Sequence, residues 1–250
     1  MLGAPATADA VTRARRLPGL KVGLHLNLVE GSPVLPAAEL PDLVDRAGNF
    51  DTNLGRAGLR FFFDPRARRQ LAAEIRAQFA AFSATGLALD HVNTHRHIHV
   101  HPTVAGLVLR IGREFGMRAM RVPDEPWQLV RRAAGSESHP WLPHLYTPWI
   151  ALLRRRLARA GLAFNDRVFG MAWSGAMTEP RFLELLALLP EGSSEIYCHP
   201  AERQTPRLLS TMPRYRPTEE LAALLSGRVR ALVAERGIEL VSYADLGAPA

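Results

Sequence analysis

Short extended runs separated by single helices recur along almost the whole chain. That alternation limits the folds open to it more than any other feature. Residues 5–17 have a helical pattern closed by Pro18-Gly19. Leu20, Val22, Leu24, Leu26 and Leu28 then alternate with Lys21, Gly23, His25 and Asn27, the period of a strand with one apolar face. A Pro-rich loop covers 31–41. Leu71, Ile75, Phe79 and Phe82 mark a helix after Pro65 that ends near Gly86, and a strand over 87–94 follows. Pro102 opens a helix at its first-turn position, running to Gly116. The pattern continues with a strand at 118–122, a helix at 147–160, a strand at 163–169, a helix at 178–189, the strand Glu195 to His199, a helix at 217–236 and a strand at 238–242. Six strands joined by single helices imply parallel pairing with right-handed crossovers, the α/β class. The 250 residues suffice for one such domain, and no internal boundary is evident. Only 123–149, rich in Pro and Trp, lacks periodicity, which suits a lid or substrate loop.

Charge gives a misleading signal. The net charge is +7, but Lys21 is the only lysine among the 31 basic residues, an arginine bias better explained by coding style than by a binding surface. Arg154, Arg155, Arg156 and Arg159 lie on an amphipathic helix and read as a solvated face, with an anionic membrane surface as the alternative. No basic motif is interleaved with aromatics, so nucleic acid is not expected. Cys198 is the single cysteine, no apolar run reaches membrane-spanning length, and the first residues carry no signal-peptide pattern. A cytoplasmic protein is expected.

Five of the nine histidines fall between His91 and His101, four of them on alternate positions: His95, His97, His99 and His101. On an extended segment these would share a face, but neighbours two apart stand roughly 6.5–7 Å from each other, awkward for chelating one ion. One metal ligand from the run is the better expectation. His99 and His101 then fall in an exposed loop or helix lead-in. His25, His95 and His199 each lie near the carboxyl end of a strand, where active groups gather in parallel α/β folds. These three are expected to converge. Cys198 and His199 are adjacent on a strand, face opposite ways and cannot form a nucleophile–base pair, so Cys198 reads as a core residue. Arg121 either clamps a polar substrate group or pairs with Asp124 or Glu125.

Gly23-Leu-His-Leu-Asn-Leu28, the Thr94-His-Arg-His-Ile-His99 run leading to Pro102, Phe169-Gly170, Ser174-Gly175 and Glu195-Ile-Tyr-Cys-His-Pro200 span nearly the whole chain in this order. Together they resemble the YdjC-like carbohydrate deacetylases of the ChbG/HpnK type, nearest the branch tied to hopanoid biosynthesis. The resemblance implies an irregular seven-stranded β/α barrel, TIM-barrel-like, that removes acetyl groups from N-acetylated amino sugars with a divalent metal, Mg²⁺ or Zn²⁺. It also implies His25 and His95 as metal ligands and His199 as the acid that protonates the leaving amine. His97, Asn27 and Arg121 are the expected substrate contacts. The implied substrate is an N-acetylated amino sugar, free or lipid-linked; the basic surface and the 123–149 segment are compatible with a peripheral contact at the inner membrane face, and a homodimer is the further partner considered.

The chain departs from that pattern in two places. The family opens with a strand ending in Ala-Asp-Asp-Phe-Gly, whose carboxylates supply the third ligand and the general base, and no Asp-Asp pair occurs here. The expectation is therefore one domain over 1–250, truncated at its N-terminus and lacking the first βα unit of the barrel. Asn93 stands where many relatives have aspartate. The rival readings are a chito-oligosaccharide deacetylase, an inactive metal- or sugar-binding remnant, and a basic membrane- or nucleic-acid-binding module.

Overall fold

A computed structural model of the chain describes residues 1–134 and 146–247. They fold as two compact units, Met1–Arg121 with Pro148–Phe164 and Ser242–Ala250 in the first, and Val122–Thr147 with Asn165–Val241 in the second.

In the first unit, β1 (Val22–Leu26) pairs in parallel with β2 (Leu89–Thr94), setting His25 opposite Asn93 and Leu26 opposite Thr94. Parallel bridges from Val92 to Met120 and from Ala119 to Ala163 extend this sheet. The helix α1 (Thr7–Arg15) buries no residue, whereas α2 (Leu54–Phe63) buries Ala57 and Phe61. On α3 (Pro65–Ala84), Leu71, Ile75, Phe79 and Phe82 recur at helical spacing and are all buried. Each such burial contributes roughly 1.5–3 kcal/mol. Asp64 caps α3 through the Arg66 and Ala67 amides, and Pro65 sits in its first turn, so the start is fixed by local chemistry. α4 (Pro102–Glu114) packs on α3 and buries Val104, Val108 and Ile111, and α6 (Thr147–Arg159) buries Leu153 and Leu157.

The second unit holds β3 (Arg167–Phe169) parallel to β4 (Ser194–Ile196). Around them lie α5 (Trp127–Ala134), α7 (Glu179–Leu188), α8 (Pro206–Thr211), α9 (Pro217–Leu225) and α10 (Gly227–Glu235). Its core joins Val130, Phe169, Trp173, Met177, Phe182, Leu185 and Ala223.

The α/β class and the parallel pairing agree with the sequence reading, and several details differ. The strands of the described residues form two two-stranded parallel sheets, not a closed seven-stranded barrel. The 238–242 run forms no strand: Leu240 and Val241 are exposed, and a 3-10 turn at Tyr243–Asp245 follows. The 118–122 run contributes only bridges, and β1 is shorter than 20–28 at both ends, with Leu20 exposed and Leu28 buried outside it. The helix expected over 217–236 breaks at Ser226, which caps α10. Part of 123–149 is regular, since α5 occupies it, and 135–145 lies outside the described residues.

Candidate active site

The largest correction concerns the histidine run. The chain is not extended there. Residues His95–Val100 form a 3-10 turn in which Arg96 and His97 both take left-handed backbone conformations, with φ of 56° and 51°. The turn scatters the four imidazoles. His99 is fully buried instead of lying in an exposed loop. Its Nε2–H donates to the Arg121 carbonyl at 2.9 Å, and its Nδ1 accepts from the Thr94 hydroxyl at 2.6 Å. Burial pushes it down to about 3, so it is a neutral brace between the turn and residue 121. His101 packs edge-on to Phe61 and Phe62.

His25 and His95 do come together, with ring centroids 5.9 Å apart and planes at 75°. His25 hangs from a hydrogen-bond chain along β2. The Asp90 carboxylate accepts from His91 Nδ1 at 2.8 Å, and Asn93 Nδ2 donates to His91 Nε2 at 3.2 Å. Asn93 Oδ1 then accepts from His25 Nδ1 at 2.6 Å. The chain fixes the His25 tautomer, with Nδ1 as donor and Nε2 left as the acceptor nitrogen. Gly23 makes room for it, because a Cβ at that position would lie 2.5 Å from the His91 ring. Burial drives His25 down to about 3, reinforced by the charges of the terminal ammonium, His95 and Arg121 and opposed by the Asn93 bond. His97 is lowered too, first by burial and then by the charges of His99 and Arg121.

Glu30 was not anticipated from the sequence. It has a φ of 58°, its carboxylate meets His95 Nε2 at 2.9 Å, and its other oxygen meets Arg96 at 3.1 Å. Asn27 donates to the Glu30 carbonyl at 2.7 Å, and its buried Oδ1 has no hydrogen-bond partner among the described residues. The Asn27 backbone is clasped by Gln78, which accepts from its N–H at 2.9 Å and donates to its carbonyl at 2.6 Å. Gln78 also donates to the buried Glu74, whose carboxyl is raised by burial. Arg121 is buried.

His199 belongs to the second unit and follows β4. The buried Glu220 carboxylate accepts from the backbone N–H of His199 at 2.6 Å and of Met177 at 2.8 Å. The exposed His199 ring lies beside Tyr197 and Tyr215, at 5.6 and 5.1 Å between centroids. Tyr215 bonds Ser174 through its hydroxyl at 2.9 Å and lies against Gly175, where any Cβ would fall 2.1 Å from its ring. Glu125 accepts from the amides of Gly170, Met171 and Ala172, each at 2.9 Å. Burial nonetheless pushes it up to about 6. Cys198 packs against the second core, and burial raises its thiol to about 11, which suits a core residue and not a nucleophile.

A divalent ion needs deprotonated donors, and His25, held neutral with Nδ1 committed to Asn93, offers Nε2 as one. His95 stands beside it as a second imidazole. Among the described residues no group of three or more His, Cys, Asp or Glu side chains is arranged to hold a metal.

Comparison with known proteins places this geometry in context. The family described as YdjC-like protein is matched over residues 1–235. A carbohydrate deacetylase of Geobacillus stearothermophilus is 29% identical over 98% of this chain and 84% of its own. A chitooligosaccharide deacetylase of Serratia marcescens is 28% identical over 98% of this chain and 86% of its own. A crystal structure from Enterococcus faecalis, described as that of a candidate cellobiose-phosphate cleavage protein, superposes with a TM-score of 0.69 at 24% identity. It covers 99% of this chain and 86% of that one, and bears on the fold alone.

Proposed function

The chain belongs to the YdjC-like protein family, and from that premise we propose that it is a metal-dependent N-deacetylase of carbohydrates. Its substrate in this reading carries an N-acetylglucosamine-type group on a hopanoid glycolipid at the cytoplasmic face of the inner membrane. The observation that carries the reading is the His25–His95 pair, with His25 neutral and its tautomer held by Asn93. The deacetylase names of the relatives support the reaction class.

His25 and His95 would hold the ion, which when bound polarises an acetamide carbonyl and its water. His25 presents Nε2 because Nδ1 is committed to Asn93. Glu30 holds the His95 ring by its Nε2, so binding through that nitrogen requires the carboxylate to swing aside. Asn27, with its spare buried acceptor, His97 and Arg121 are assigned to the sugar and its acetamide. His199 is assigned to protonate the amine as the C–N bond breaks, yielding acetate and the free amino sugar. Glu220 anchors its backbone, and the exposed ring is open to solvent for reprotonation.

Two rivals have specific support. Soluble chito-oligosaccharide is favoured by the name of the Serratia relative. An inactive metal- or sugar-binding remnant is favoured by the incomplete donor set. Acetate release from an N-acetylglucosaminyl lipid and from chito-oligosaccharide, with and without chelator, separates them. Release from the lipid that is lost with chelator and with His95→Ala is the expected result. Release only from the oligosaccharide selects the soluble substrate, none from either selects the remnant, and release insensitive to both treatments overturns the metal role.

A further inference from the structure

The first unit carries a second feature that the deacetylase reading leaves unused. An open depression of about 1260 Å³ between α3, α4 and α6 is lined by Arg68, Arg69, Arg110, Arg113, Arg156 and Arg159. These six cations come from three separate helices, two from each. The one acidic side chain in the lining, Glu114, is neutralised by a two-pronged pair with Arg76 at 2.6 and 2.8 Å. Phe62 lines one edge, and beside it stand Phe63 and Leu59, 47%, 70% and 63% exposed respectively. Three large apolar side chains left in water at the end of one helix, bordering a single-sign field, are uncommon on a soluble surface.

We propose that this face docks on an anionic lipid bilayer. The arginines complement anionic headgroups, and Leu59, Phe62 and Phe63 enter the headgroup–acyl boundary, the division of labour of peripheral membrane surfaces. A small soluble anion would satisfy the arginines and leave the apolar knuckle unexplained. Nucleic acid would want open ring faces, but Phe62 and Phe63 pack edge-on to each other at 5.0 Å, and Phe62 packs edge-on to His101. The His101 contact also joins the membrane edge to the turn that carries His95. A substrate anchored in the bilayer would therefore meet that turn at the lipid surface.

The test is co-sedimentation of the full chain with phosphatidylcholine vesicles, with and without phosphatidylglycerol, which needs no turnover and so fails or succeeds apart from the deacetylase reading. Binding is expected only with phosphatidylglycerol, weakening with salt. The double variant Arg68→Glu, Arg69→Glu should cut the bound fraction by about tenfold or more, and Phe62→Ser with Phe63→Ser should cut it several-fold. The control Arg203→Glu, on an exposed residue of the second unit, should leave it unchanged. All these side chains are exposed, and unaltered melting curves confirm that the fold survives. Equal binding to neutral vesicles, no loss in either double variant, an equal loss in the control, or retention of short RNA in place of vesicles would each overturn the proposal.

Discussion

His25 Nδ1 lies 2.6 Å from Asn93 Oδ1, directly across the β1–β2 pairing. An amide has both a donor and an acceptor end, and His91 fixes which end faces His25 by accepting from the other. The carboxylate of Asp90 thus orients an imidazole it never touches.

Removing the amide should free the His25 ring to rotate and to exchange tautomers. Asn93→Ala is expected to weaken divalent-ion affinity by about 10–100-fold, the usual cost of losing a histidine's outer partner. Isothermal titration with Zn²⁺ measures it. Unchanged affinity would remove Asn93 from the argument.

Gly23 can be tested in the same chain. Gly23→Ala puts a methyl into the space of the His91 ring, evicting it from Asp90 and from its stack on Tyr243 at 4.4 Å. The expected cost is about 1–3 kcal/mol, as for overpacking. In the His91→Ala background the same substitution should cost much less. Equal costs in both backgrounds would show that the ring is not the obstacle.

Gln78→Ala strips partners from the N–H and C=O of Asn27 together, leaving both buried and unpaired. Each orphaned group costs about 1–3 kcal/mol. Urea unfolding should report a loss near the top of that range. A loss below about 0.5 kcal/mol would mean that water replaces the glutamine.

Glu125 supplies the pH dependence. Its folded-state value, raised from 4.5 to about 6, means its contribution to stability is full below pH 4.5 and is lost as the pH climbs through 6. The interval is worth about 2 kcal/mol. His99 runs the other way, since a value near 3 removes stability as the pH falls from 6.5. Comparing wild type with Glu125→Gln isolates the carboxylate. The gap between them should shift towards the variant by about 2 kcal/mol between pH 4.5 and about pH 7. A constant gap would refute the assignment.

Long-period signals were readable in the sequence, and features that depend on a single hydrogen bond were not. The apolar spacing of α3 and the Pro102 start of α4 need only local rules, and the structure follows them. The alternation of His95 to His101 obeys the same arithmetic as a strand, yet those residues turn, because Thr94 caps the His99 amide through its hydroxyl and pulls the chain round. Glu30 could not be tied to His95 from spacing, since they are 65 residues apart and meet through a loop. Leu240 and Val241 looked like a strand because propensity does not report whether a neighbour exists. The α2 helix carried a readable sign in Asn53, its cap, placed before Leu54-Gly-Arg.

The consecutive left-handed residues Arg96 and His97 have a consequence for the way sequences at this turn would drift. Glycine adopts that backbone freely, while an arginine and a histidine hold it at a cost of order 1 kcal/mol each. A library sorted only for thermal endurance should therefore accumulate Arg96→Gly and His97→Gly. One sorted for turnover should reject at least the second. The disagreement between the two selections would map the positions where this loop trades durability for chemistry.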